Sequence, residues 1–249
     1  MSRSAPEITA AANPAKRRIE VKSKGIQEYV PSKVEGEKGT HKVHSVPFGF
    51  IVLDEVSCIT GYSEGKKLGY YSNEIKDISK DYLLVRCGKD IVAKGLYADI
   101  QEKVKAQGGK FTTCVYAVIR NGDGFDMVRI MLAGASVGAW FEFKRKASIY
   151  GDNAIIISGW KDDRKGAVEY KVPIFTTSAI KPDVVHTTGE LDADLQSWLK
   201  PFLFQQQQEI KGGDSTDDGY NGDYSQDGGV AKSTREEQHE EYDTEDIPF

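Results

Sequence analysis

The sequence has no apolar run approaching the ~18 residues that a membrane-spanning helix requires. Its first twenty residues, MSRSAPEITAAANPAKRRIE, contain no apolar signal core. Both absences predict a cytoplasmic chain with no membrane contact. Cysteine is scarce: Cys58, Cys87 and Cys114 are far apart, odd in number and set in apolar runs. That pattern predicts buried reduced thiols rather than a disulfide framework or a zinc site. Catalytic signatures are missing too. GYSEGKKLG is rich in glycine and lysine, but Thr60 stands where a P-loop places its first glycine and Lys67 where it needs Ser or Thr. There is no Gly-x-Ser-x-Gly and no His-Glu-x-x-His. His41 and His44, three apart on a strand, would point to opposite faces and make a poor metal pair. The expectation is a protein that is not an enzyme and uses no cofactor or metal. Apolar residues make up 39% of the 249, low for a fully packed chain, so part of it should stay outside any core.

What is present is charge, unevenly divided. From Gly212 to Phe249 there are twelve acidic residues against Lys232 and Arg235, a net −10. The first 211 residues then carry +5, since the whole chain is −5. A mildly basic body with an acidic tail suits a binder of nucleic acid or other anions, and equally an ordinary domain with a solubilising tail.

Three regions follow from the composition. Residues 1–40 read as a flexible basic arm that includes Lys16-Arg17-Arg18. Residues 41–211 read as the folded body, and residues 212–249 as a disordered acidic tail. In the body, VHSVPFGFIVLDEVSCITGYS predicts one long bent strand or two, KLGYYSNEI another, and YLLVRC a third. Ile91, Val92, Leu96, Ile100 and Val104 recur at helical spacing, with Asp90 as N-cap and Gly108-Gly109 as the stop. KFTTCVYAVIR and FDMVRIMLAG flank Asn121-Gly122-Asp123-Gly124, a strong hairpin signal. GASVGAWFEFKRKA predicts a short helix or an insertion. AIIISGW and VEYKVPIFTT form a second hairpin, and 191–210 a helix kinked or ended by Pro201. Three strands, a helix and a hairpin give the expected fold: mainly β, an OB-fold-like Greek-key barrel with a helix between strands three and four, plus extensions.

Single-strand binding needs cations for phosphates and flat side chains for unstacked bases. Alternation places Tyr82 and Arg86, then Lys110, Tyr116 and Arg120, then Phe125, Met127 and Arg129 away from the aliphatic side of three segments. The Gly-rich stretch adds Tyr62, Lys66, Lys67, Tyr70 and Tyr71, and WFEFKRK adds Trp140, Phe143, Lys144, Arg145 and Lys146. Any one aromatic here favours packing over base stacking. Cations and aromatics together on one face favour binding.

The chain ends in EEYDTEDIPF. Asp246, Ile247, Pro248 and Phe249, behind an acidic run and a Gly/Gln/Asp-rich linker, closely resemble the C-terminal tip of bacterial single-stranded DNA-binding proteins. Thr244 interrupts the acidic run, and Glu245 replaces a usual Asp. The resemblance covers linker and tip; the body does not visibly match that family's DNA-binding domain and looks more like a divergent, phage-type version. It implies a tip of Asp243, Glu245, Asp246, Ile247, Pro248 and Phe249 that docks replication, recombination and repair proteins. The physics agrees: Phe249 carries a ring and an α-carboxylate on one residue, suited to an apolar pocket with a basic rim. The expected function is to coat and protect single-stranded DNA with little sequence preference and to recruit partners through the tip. The alternatives are a strand-annealing or recombination-mediator protein, and an adaptor that occupies host replication proteins without binding DNA. The reading leaves room for a homo-oligomer.

Overall fold

The computed structural model describes residues 12–31 and 39–212. Within them, eleven strands and three helices follow in chain order: β1 (Arg17–Lys22), β2 (Gly25–Val30), β3 (Thr40–His44), β4 (Phe48–Ser63), β5 (Leu68–Ser72), β6 (Leu83–Cys87), β7 (Asp90–Gly95), α1 (Tyr97–Ala106), β8 (Gly109–Asn121), β9 (Gly124–Ala133), α2 (Ala135–Lys146), β10 (Asn153–Lys165), β11 (Val168–Ala179) and α3 (Pro182–Gly212). The fold is mainly β, as expected. Its sheet is open and mixed, ordered β3-β2-β1-β9-β8-β4-β5-β6-β7, with β10 branching onto β4 and β11 pairing with β10. These pairings do not close into a ring. Every named pair is antiparallel except β1 with β9, which run parallel with Ile19 opposite Ile130.

The expected hairpins form. β8 and β9 turn through Gly122 and Asp123, and Gly122 at φ +60° takes the left-handed backbone that a two-residue turn demands. β10 and β11 pair from Asn153 opposite Ala179 to Lys165 opposite Val168. The 134–147 segment resolves as helix α2.

Three expectations are corrected. Residues 17–30 fall in the stretch read as a flexible arm, yet they form β1 and β2. Ile19, Val21 and Ile26 are fully buried in the core, which repays the ordering of a short, highly charged hairpin. Asp90 does not cap a helix. Gly88, at φ +59°, turns the chain so that 90–95 pairs with β6 as β7, and α1 begins only after Leu96. The helical spacing of Ile91, Val92 and Leu96 competed with strand pairing and lost. Finally, α3 starts at Pro182 and runs through Pro201 without ending. Proline at the first helical position has no N–H to leave unsatisfied.

Two apolar cores lie on opposite faces of the sheet. The larger gathers Ile19, Phe50, Ile59, Leu83, Val85, Phe111, Val115 and Ile130 with α1 and α2, and buries Trp140 completely. The second lies between α3 and the other face, where Leu195, Leu199, Trp198 and Phe202 cover Ile51, Val56, Cys114, Tyr116 and Val118. Phe111 to Ile119 are therefore buried without a break. All three cysteines are free and buried, and burial pushes the Cys58 thiol up to about 12. Among the described residues, no helix is long and apolar enough to cross a membrane.

Candidate nucleic-acid interface

Residues opposite one another on paired strands share a face. The register therefore draws a row across five strands. Ile91 of β7 lies opposite Arg86 of β6, Arg86 opposite Tyr71 of β5, Tyr71 opposite Thr60 of β4, and Thr60 opposite Lys110 of β8. Four strand spacings make the row about 19 Å wide. The residues beside this row in sequence, Ile59, Tyr70, Cys87 and Phe111, point the other way and are buried. Tyr62, two residues beyond Thr60, extends the face at 37% exposure, and Ile91 is 58% exposed. Lys66 and Lys67 sit in the turn joining β4 and β5. Lys94 of β7, opposite Leu84, adds a cation one step along the same face.

Hydrogen bonds hold parts of this surface. The Tyr71 hydroxyl donates to the Gly88 carbonyl at 2.7 Å, and an Arg86 guanidinium nitrogen to the Lys89 carbonyl at 3.4 Å. The Thr60 and Thr112 hydroxyls lie 2.6 Å apart. Lys66 Nζ meets Asp90 at 2.7 Å. That exposed pair raises the Lys66 ammonium and lowers the Asp90 carboxyl from their ordinary values, chiefly through the hydrogen bond between them. Tyr82 marks the border of the face. Its backbone N–H donates to Gln207 Oε1 at 2.8 Å, its carbonyl accepts from Gln207 Nε2 at 2.9 Å, and Lys211 Nζ stands 5.4 Å from its ring centre. Beyond this point α3 covers the sheet.

Of the residues expected from sequence, the row brings together Tyr62, Tyr71, Arg86 and Lys110, with Lys66 and Lys67 at one end and Tyr82 at the margin. The others lie elsewhere. Tyr70 faces the larger core at 6% exposure. Tyr116 is fully buried under α3, where its hydroxyl donates to Glu74 Oε2 at 2.7 Å. Burial drives that hydroxyl strongly upward and raises the Glu74 carboxyl, against the opposing pull of the Tyr116 bond and Arg129. Phe125 packs at the edge of the α3 core, and Arg129, opposite Tyr116, is half-buried. Trp140 donates its indole N–H to Glu55 at 3.0 Å, inside the larger core. Phe143 packs on Phe175, with ring centres 5.7 Å apart, and Lys144 pairs with Glu55. Arg145 and Lys146 are exposed in the last turn of α2, where they complement the helix dipole. Arg120 lies ten residues from Lys110, roughly 34 Å along an extended strand. One cause explains the misplacement of Tyr116, Phe125 and Arg129. The side of β8 and β9 that alternation marked as outward is the side on which α3 packs.

Ile91, Lys94 and Lys211 escaped the sequence reading, the first two because their segment was read as helix. The strand signal was the Gly88 turn followed by the β-branched Ile91 and Val92. The tip residues Asp243, Glu245, Asp246, Ile247, Pro248 and Phe249 lie outside the described residues. No protein-family model, no curated protein and no solved structure matches this chain.

Proposed function

We propose that the protein binds single-stranded DNA across the open row from Ile91 to Lys110, without catalysis and with little sequence preference. The observation that supports this reading is that row. Tyr71 and Tyr62 lie among Arg86, Lys110 and Lys94 on one face, with Lys67 in the turn at its end, next to a helix that stops short of them. Aromatic faces accept any base by stacking, and cations neutralise the phosphates on either side. A 19 Å row spans about three nucleotides of extended strand.

In this reading the β4-to-β9 portion, with α1 before its last hairpin, is an opened and extended relative of the OB layout. The acidic Asp-Ile-Pro-Phe end recruits replication and repair proteins to the coated strand. The test is a titration with oligo-dT at low and high salt, followed by tyrosine and tryptophan fluorescence. Saturable, salt-sensitive binding is expected. Absence of binding at low salt overturns the proposal and leaves the adaptor reading.

A further inference from the structure

The opposite end of β8 carries a second cluster. An open cavity of about 410 Å³ is lined by Arg17, Lys42, His44, Phe48 and Arg120, with Pro47 and Asn121 at its walls. These residues come from β1, β3, the entry to β4 and the end of β8, and the sheet order brings β1, β8 and β9 side by side. Against it lies Glu28, only 5% exposed. Its carboxylate accepts from Arg17 Nε at 2.6 Å and Arg17 Nη2 at 2.8 Å, and His44 Nε2 lies 2.9 Å away. Arg17 also pairs with Asp126, which accepts from the Asn121 amide at 2.9 Å. These bonds hold the Glu28 carboxyl below its ordinary range, the Arg17 bond first.

A buried carboxylate that fixes both a guanidinium and an imidazole sets them in place before any ligand arrives. The two acids do not cancel the site. Arg17, Lys42 and Arg120 bring three positive charges against two negative ones. Lys42 and Arg120 are exposed at the mouth. Beside the cations, the His44 and Phe48 rings meet edge-on at 5.2 Å and form an apolar wall with Pro47. Clustered cations suit a phosphate oxyanion, and the ring and proline edges beside them suit contact with the sugar or base attached to it.

We propose that this cavity is a second binding site, for the phosphate group of a nucleotide, separate from the open row. The phosphate could belong to a bound strand or to a free nucleotide, because the recognising chemistry is the same.

The test uses the full chain and follows the His44 ring signals by NMR during titrations with inorganic phosphate and with dTMP. Both should produce saturable shifts, dTMP at lower concentration than phosphate. The double variant Lys42→Ala/Arg120→Ala should weaken both by about tenfold, with an unchanged thermal midpoint as the folding control. No saturable shift with either probe overturns the proposal, as does equal binding by the native protein and the double variant. A competition with oligo-dT then separates the sources. If the oligonucleotide displaces dTMP from the His44 signals, a strand enters the cavity; if it does not, the site is one for free nucleotide. The phosphate and dTMP results do not depend on the open row, so the two readings fail separately.

Discussion

Replacing Arg86 and Lys110 by alanine removes two cations from the row while leaving its strands in place. For single strands, the logarithm of affinity falls with the logarithm of salt concentration by about 0.7 for each phosphate neutralised. If Lys67, Arg86, Lys94 and Lys110 each meet one phosphate, the native slope is about −2.8. Arg86→Ala/Lys110→Ala should halve the slope to about −1.4. Over a fourfold rise in salt, the native protein then loses roughly fiftyfold in affinity and the variant roughly sevenfold. The assay is fluorescence titration with oligo-dT at a series of salt concentrations. Both side chains lie on the surface side of the sheet, so stability should change by only about 0.5 kcal/mol. A matched control, Lys144→Ala/Arg145→Ala, changes the same number of charges on α2. An unchanged slope in the first variant, or an equal fall in the second, would refute the placement of the strand on this row.

Tyr62→Ala should weaken oligo-dT binding by about 1–3 kcal/mol, the range for one base stacked on an aromatic ring, with little change in thermal midpoint. Trp140→Ala should do the reverse. Its side chain is fully buried, so chemical denaturation should report a loss of about 3–5 kcal/mol, with the protein that remains folded binding DNA normally. Glu74→Gln tests the buried acid beneath α3. Burial raises the carboxyl in the folded state, so native stability is greatest below the ordinary carboxyl value and falls as pH rises through the raised one. The glutamine, which can still accept from Tyr116, should therefore raise the thermal midpoint at neutral pH. That gain should vanish once the pH falls below the ordinary carboxyl range, and a gain persisting in acid would refute the cause.

The parts of the fold that were legible in sequence are those set by local chemistry. Asn121-Gly122-Asp123-Gly124 demands a tight turn, and Leu83, Val85 and Cys87 alternate into the core as the pattern requires. What was not legible depends on partners distant in the chain. Arg17–Lys22 becomes a strand because β9, more than a hundred residues later, offers a parallel edge to it. The site divides in the same way. Alternation alone sets Arg86 and Lys110 away from the aliphatic side, where the register puts them on one face, but alternation reports only that two faces differ. It cannot say which stretch of the polar-looking face a later helix will cover. Tyr116 and Arg129 lie under α3, whereas Thr60 and Tyr71 lie past its end. No signal within β8 distinguishes the two situations.

The end of α3 has a further consequence. Gln207 and Lys211 rest on Tyr82, at the margin of the open row. The chain that continues past Gly212 therefore departs from the doorstep of that row rather than from the far side of the molecule. If the proposed row holds a strand and the tip captures a partner, the partner is held on a line moored beside that strand, at the place where the strand would be handed over.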